Sequence, residues 1–159
     1  MKKKGFTLVE LMIVIVIIGI LAAVAVPKFA DMVDKSKEGA TKAQLTAIRG
    51  ALQVYYGDNE GKFPLDKDTV NGSSTTVLTT SLIPKYISDI GLAKLPHKGG
   101  NNNCATESST VYKVAIPTAN VSATQGGWAY DSDDANNTWG DLRVNCKGND
   151  LNGKPWTTY

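Results

Sequence analysis

Glu10 is the residue whose surroundings demand chemistry. From Phe6 to Val26 every other side chain except Thr7 is apolar or absent. An ionised carboxylate in such a segment costs roughly 2.5–3.5 kcal/mol at mid-membrane depth and less near an end. Glu10 therefore calls for a positively charged partner. Cys104 and Cys146 lie in a polar half rich in Asn, Gly and Thr. They read as one disulfide once the chain is exported. A metal pair is the poorer reading, because metal-type cysteine spacing is absent and His97 is the only histidine. Asp131, Asp133, Asp134 and Asp141 make an oxygen-rich stretch that could furnish calcium ligands. Their spacing is not that of an EF-hand, and acidic residues in turns mostly serve the turn itself. No nucleophile–base pair, phosphate loop or cofactor motif is present, so an enzyme is not expected and no cofactor beyond that calcium option is implied.

The elements that must position these groups follow from the apolar pattern. Leu11 to Val26 carries no polar side chain. As a helix it would be about 24 Å long, and Phe6 to Val9 extend it towards a bilayer core of about 30 Å. Val and Ile favour strands in water, but in lipid only a helix satisfies its own backbone. Lys2, Lys3 and Lys4 hold the N-terminus on the cytoplasmic side. A cleaved secretory signal is the competing reading, with Ala22-Ala23-Val24-Ala25 as its small-residue site. Against it stand Glu10 inside the segment and a helical pattern that continues past Ala25.

Lys28 to Tyr56 reads as an amphipathic helix. Leu45, Ile48, Leu52 and Tyr55 recur at spacings of three and four. Lys35, Lys37, Glu38, Lys42 and Arg49 fall mostly on the other faces and are expected in solvent. Gly19 and Pro27 weaken the helix locally, and Pro27 either kinks it at the membrane exit or permits a local melt. Gly57 is the expected C-cap, followed by a loop to Gly61. Asp66 to Thr80 is read as loop or a linker to a short helix, and Ser81 to Ile87 as a short helical turn before an extended piece, because Pro84 forbids a long helix. Three strands follow, at Val111–Ile116, Gly127–Asp131 and Leu142–Asn145. Trp128, Tyr130, Trp139, Trp156 and Tyr159 are expected to serve the sheet and core. Asn71, Asn120 and Asn136 head N-x-Ser/Thr triplets.

Charge argues against one class of partner without excluding it. The 159 residues carry 17 basic and 15 acidic side chains. Without Lys2, Lys3 and Lys4 the balance is 14 against 15, so the body offers no basic field and no specific nucleic acid is expected.

Lys4-Gly5-Phe6-Thr7-Leu8-Val9-Glu10, followed by an apolar run with Gly19 and Pro27, resembles the leader and first helix of type IV pilins and type II secretion pseudopilins. The resemblance covers roughly Met1 to Tyr56. The Phe63-Pro64 step after the helix, the Ser81–Ile87 segment and Gly126-Gly127-Trp128 are also similar to that family. It implies an α+β pilin fold: a long helix, transmembrane in its first half and amphipathic in its second, packed on a small antiparallel sheet. The implied parts are a leader at 1–5, a membrane and filament-core helix at 6–27, an amphipathic helix at 28–56 and a globular domain at 57–159. A prepilin peptidase would cut between Gly5 and Phe6, and Phe6 would be N-methylated. The new ammonium of one subunit could then pair with Glu10 of another. Implied partners are copies of the same chain, the peptidase and an inner-membrane pilus or secretion machinery. The chain would rest in the bacterial inner membrane before assembly and in an extracellular filament after it. A major pilin is the first reading. A major pseudopilin with calcium in the Asp loop, or a minor pilin that binds DNA or a surface, are the alternatives. A Cys104–Cys146 bridge leans towards the pilin.

Overall fold

The computed structural model describes residues 5–70, 72–97, 104, 107–114 and 125–159. The elements are α1 (Leu8–Asp58), α2 (Val77–Leu82), β1 (Ala93–Lys94), β2 (Glu107–Ser108), β3 (Val111–Lys113), β4 (Trp128–Tyr130), β5 (Leu142–Val144) and a final 3-10 turn (Trp156–Thr158). They divide into two compact units, Met1–Val33 and Asp34–Tyr159, which share α1.

α1 starts at a capping box. Thr7 precedes the first helical residue, and its Oγ1 accepts the backbone N–H of Glu10 at 3.2 Å. Glu10 Oε2 in turn accepts the backbone N–H of Thr7 at 2.8 Å and its hydroxyl at 2.7 Å. These reciprocal bonds satisfy donors that a helix start leaves orphaned. Pro27 lies inside the helix, which continues through it. The cost is one missing donor, since no N–H at position 27 can reach the carbonyl of Ala23.

The other end of α1 lies beyond the expected cap. Gly57 is helical, and the left-handed positions are Glu60 (φ 55°) and Gly61 (φ 79°). The N–H of Gly61 bonds the carbonyl of Tyr56 at 3.0 Å, the six-to-one bond of a Schellman ending. The cap thus uses the glycine at the end of the loop and forces Glu60 into a conformation that costs a side chain about 1–2 kcal/mol.

In the second unit α1 buries Leu45, Ile48 and Leu52, as their spacing requires. They pack in a core with Leu78, Leu82, Leu95, Trp128, Tyr130, Leu142, Val144 and Trp156. α2 begins at Val77, within the stretch read as loop or linker. Its Leu78 and Leu82 are fully buried one turn apart. The hydroxyls of Thr79 and Thr80 bond back to the carbonyl of Thr76, so the Thr-rich stretch satisfies itself while its leucines find the core.

The main sheet has the order β3-β4-β5. β4 and β5 are antiparallel, with Trp128 opposite Val144 and Tyr130 opposite Leu142. β3 and β4 are parallel, with Val111 opposite Trp128, so the sheet is mixed rather than purely antiparallel. The reason lies in chain length: a parallel neighbour needs a connection of a dozen or more residues, and 114–127 has that length. Of the strand expected over Val111–Ile116, the last two residues lie outside the described ones. β1 and β2 form a separate antiparallel pair that the pattern did not announce. Gly127 opens β4 at φ +78°, where an added Cβ would lie 2.4 Å from the carbonyl oxygen of Thr110. Only glycine fits there.

Candidate assembly and processing segment

The first unit is defined by what it leaves uncovered. Every large apolar side chain from Phe6 to Val33 is exposed. The apolar stretch of α1 has no buried residue, and α1 is long and apolar enough to cross a membrane. Apolar surface of this extent gains about 25 cal/mol per Å² when it leaves water.

Three of the expected assembly positions sit on this segment. Glu10 stands in the first turn, exposed, with its carboxylate turned back onto Thr7. Gly19 faces open space, so nothing within this chain requires a glycine there. Pro27 occupies the helix interior. Gly5 also has open space around it, and Phe6 is exposed. The peptide bond between them is therefore uncovered, immediately before the capping box. The lysines at 2–4 fall outside the described residues. Thr7 is the residue that the sequence reading passed over. Its signal was legible as Thr-x-x-Glu before an apolar run.

The second unit carries the remaining candidates. Cys104 and Cys146 form a disulfide with Cα atoms 5.8 Å apart. The four aspartates do not converge. Asp131 is buried and accepts Asn136 Nδ2 at 3.0 Å, Thr138 Oγ1 at 2.7 Å and the N–H of Asp133 at 3.2 Å. Asp133 accepts the N–H of Ala135, Asp134 pairs with Lys67 at 3.0 Å, and Asp141 pairs with Arg143 at 2.7 Å. Among the described residues no three His, Cys, Asp or Glu side chains are grouped so as to hold a metal ion. Asp131 acts as the hub of the β4–β5 turn. Asn136 belongs to that hub, while Asn71 and Asn120 lie outside the described residues. Trp128, Tyr130 and Trp156 are fully buried, Trp139 and Tyr159 are partly so, and His97 is exposed.

Of the charged residues of α1 expected in solvent, Lys35 is exposed, whereas Glu38 is buried and Lys37, Lys42 and Arg49 are half-buried. Glu38 is buried, and its two oxygens take Lys42 Nζ at 2.6 Å and the N–H of Leu151 at 2.9 Å. Lys42 Nζ also donates to Asp150 Oδ2 at 2.9 Å and to the Tyr159 hydroxyl at 2.9 Å. Burial alone would raise the Asp150 carboxyl. Bonds from Tyr159, Lys42 and the N–H groups of Lys154 and Asn152 outweigh it and hold the group well below the usual carboxylate range. Burial acts to lower Lys42, but its bonds with Glu38, Tyr159 and Asp150 push it above the ordinary lysine value. Arg49 donates twice to the carbonyl of Leu142, at 3.1 and 2.6 Å. The sequence shows Glu38 and Lys42 only as an i,i+4 pair, which on most helices is a surface feature.

Residues 1–26 match the family described as the prokaryotic N-terminal methylation motif. The chain is 52% identical over 54 residues to the type IV narrow pilus major component PilA5 of Thermus thermophilus, covering 34% of this chain and 47% of that protein. It is 38% identical over 104 residues to the fimbrial protein EcpC of Eikenella corrodens, covering 58% of this chain and 67% of that protein. It is 45% identical over 58 residues to the type II secretion system core protein G of Pseudomonas aeruginosa, covering 36% of this chain and 41% of that protein. The chain thus spans about half the length of the Thermus and Pseudomonas relatives. No solved structure matches it. An uncovered apolar helix with one acid in its first turn, an N-terminal methylation motif that runs into its apolar half, and a match across two thirds of a fimbrial protein place this chain in the family of type IV pilins and type II secretion pseudopilins.

Proposed function

We propose that the chain is the structural subunit, a major pilin, of a type IV pilus-like filament. The observation that carries this is the helix α1: from Leu8 to Val26 it exposes an apolar surface with Glu10 as its single carboxylate, and from Asp34 onward it forms the spine of a folded unit. Such a helix is stored in lipid and later buried against copies of itself. Residues 1–5 act as a leader, 6–27 as membrane anchor and filament core, 28–56 as spine, and 57–159 as the outward domain. A prepilin peptidase cuts between Gly5 and Phe6, and Phe6 is N-methylated. The freed ammonium then competes with Thr7 for a Glu10 carboxylate, and pairing between subunits sets their stagger. Gly19 allows close approach of neighbouring helices, and Pro27 supplies a point of local give. The subunit passes from the bacterial inner membrane to an extracellular filament by way of an inner-membrane machinery. Its work is structural, not catalytic.

Mass spectrometry of sheared, purified filaments tests this. A chain beginning at methylated Phe6, with Cys104 and Cys146 joined, is the expected result. A chain beginning after Ala25, or at Met1, would overturn it. A second reading, a major pseudopilin, is favoured by the match to the secretion core protein G. Long surface filaments with a melting temperature insensitive to EDTA support the pilin. Short periplasmic assemblies whose melting falls in EDTA support the pseudopilin.

A further inference from the structure

We propose that the Asp34–Lys42 stretch of α1 is gripped by a two-jawed polar clasp, one jaw from Lys94–His97 and one from the C-terminal segment, whose C-terminal jaw opens as a unit about Lys42 and resists peeling of the globular fold from its helix. Its mechanical role rests on the filament reading above; the clasp itself does not.

The face that α1 turns into its second unit changes character along its length. Leu45, Ile48, Ala51 and Leu52 are apolar, whereas Asp34, Glu38 and Thr41 are buried and polar. On one side Asp34 accepts the N–H of His97 at 3.2 Å. Thr41 Oγ1 donates to the carbonyl of Lys94 and accepts the N–H of Lys94 at 2.7 Å. On the other side Glu38 holds the N–H of Leu151, and Lys42 holds Asp150 and Tyr159. The C-terminal jaw is itself preformed. Asp150 Oδ1 accepts the N–H groups of Asn152 at 2.9 Å and Lys154 at 2.8 Å, and a bridge joins Asn149 to Pro155. Tyr159 Oη donates to Asp150 Oδ2, and Lys42 sits 4.3 Å from the Tyr159 ring centre.

The two kinds of contact respond differently to displacement. Apolar burial is non-directional and tolerates sliding. Hydrogen bonds and ion pairs lose strength steeply once geometry is broken, and a shared cation makes them fail together. Lys42 is that shared cation. Its loss leaves Glu38 and Asp150 as uncompensated carboxylates, so the C-terminal jaw opens while Cys104–Cys146 and the apolar core keep the rest folded.

Hydrogen exchange read by mass spectrometry on the full chain in detergent tests this. In Lys42→Met, amides of 35–45 and 149–159 should exchange roughly ten-fold faster or more, since three charge-assisted contacts are lost with one side chain. Amides of β4 and β5 should be unchanged. Tyr159→Phe, which removes one hydroxyl, should give a smaller rise in the same two segments. Lys42→Arg should retain most of the protection. Unchanged exchange in Lys42→Met, or an equal rise across β4 and β5, would overturn the clasp. Sheared Lys42→Met filaments should become protease-sensitive while Lys42→Arg filaments survive; equal survival would overturn the mechanical role alone. A wild-type chain that forms no filament would overturn the functional reading, and exchange would still decide the clasp.

Discussion

Lys42 and Asp150 meet at 2.9 Å although 108 positions separate them in the chain. Lys42 stands on α1 and Asp150 in the last turns before the C-terminus, and their bond fastens the end of the chain to its spine. The pair has a defined response to pH. Asp150 is depressed in the folded state, so its stabilisation is present above the unfolded carboxyl value of about 3.9 and fades as pH falls towards the lower folded value. Lys42 is raised, so its stabilisation is present below the unfolded value of about 10.4 and fades as pH rises towards the higher folded one. Between about pH 5 and 9 this part of the stability should be flat. Asp150→Ala should lower stability by about 1.5–3 kcal/mol at pH 7 and by much less at strongly acidic pH, as urea unfolding at the two pH values would show.

The disulfide should be a larger stabiliser. Cys104 and Cys146 are 42 positions apart, and closing a loop of that size stabilises by roughly 3–4 kcal/mol through the unfolded chain. Replacing both cysteines by serine should lower the unfolding free energy read from urea titration by about that amount. Adding a reductant should then change the melting of the wild type and leave the variant untouched.

Glu60 offers a change in the opposite direction. Its φ of 55° sits in the left-handed region, at the position where helix endings favour glycine. Glu60→Gly should stabilise the second unit by about 1 kcal/mol. Glu60→Val should destabilise it, because a β-branched residue tolerates that conformation worst. Thermal melts of the two variants would show the divergence.

Glu10 separates two roles that one substitution can pull apart. Its carboxylate caps α1 through Thr7, and in the proposed assembly it also answers a neighbour's ammonium. Glu10→Gln keeps an acceptor for the cap but carries no charge. Helicity in detergent should stay near wild type while filament yield collapses. Glu10→Ala should lose the yield and also fray the first turn, worth about 1 kcal/mol of helix. Filament yield that survives both changes would contradict the charge-pairing step.

The sequence by itself determined the helix, its uncovered apolar half and its buried face. Unbroken hydropathy and a three–four spacing are local signals, and the residues from Leu11 to Leu52 display them without help from the rest of the chain. It also determined the two cysteines as partners and the segments of β3, β4 and β5, because alternation and turn residues are local as well. Tertiary structure alone decided the parallel pairing of β3 with β4, the start of α2 at Val77, the burial of Glu38 and the use of Lys42. Each of these depends on a partner far away in the chain. An isolated Glu–Lys pair one turn apart is the same on a solvated helix and in a clasp, and only the arrival of Asp150 and Tyr159 tells them apart. The Asp131 loop follows the same logic. Four acids close in sequence suggested a shared cation, but the fold turned each towards a nearer donor of its own, since a hydrogen bond within the turn forms wherever geometry brings Asn136 and Thr138 round.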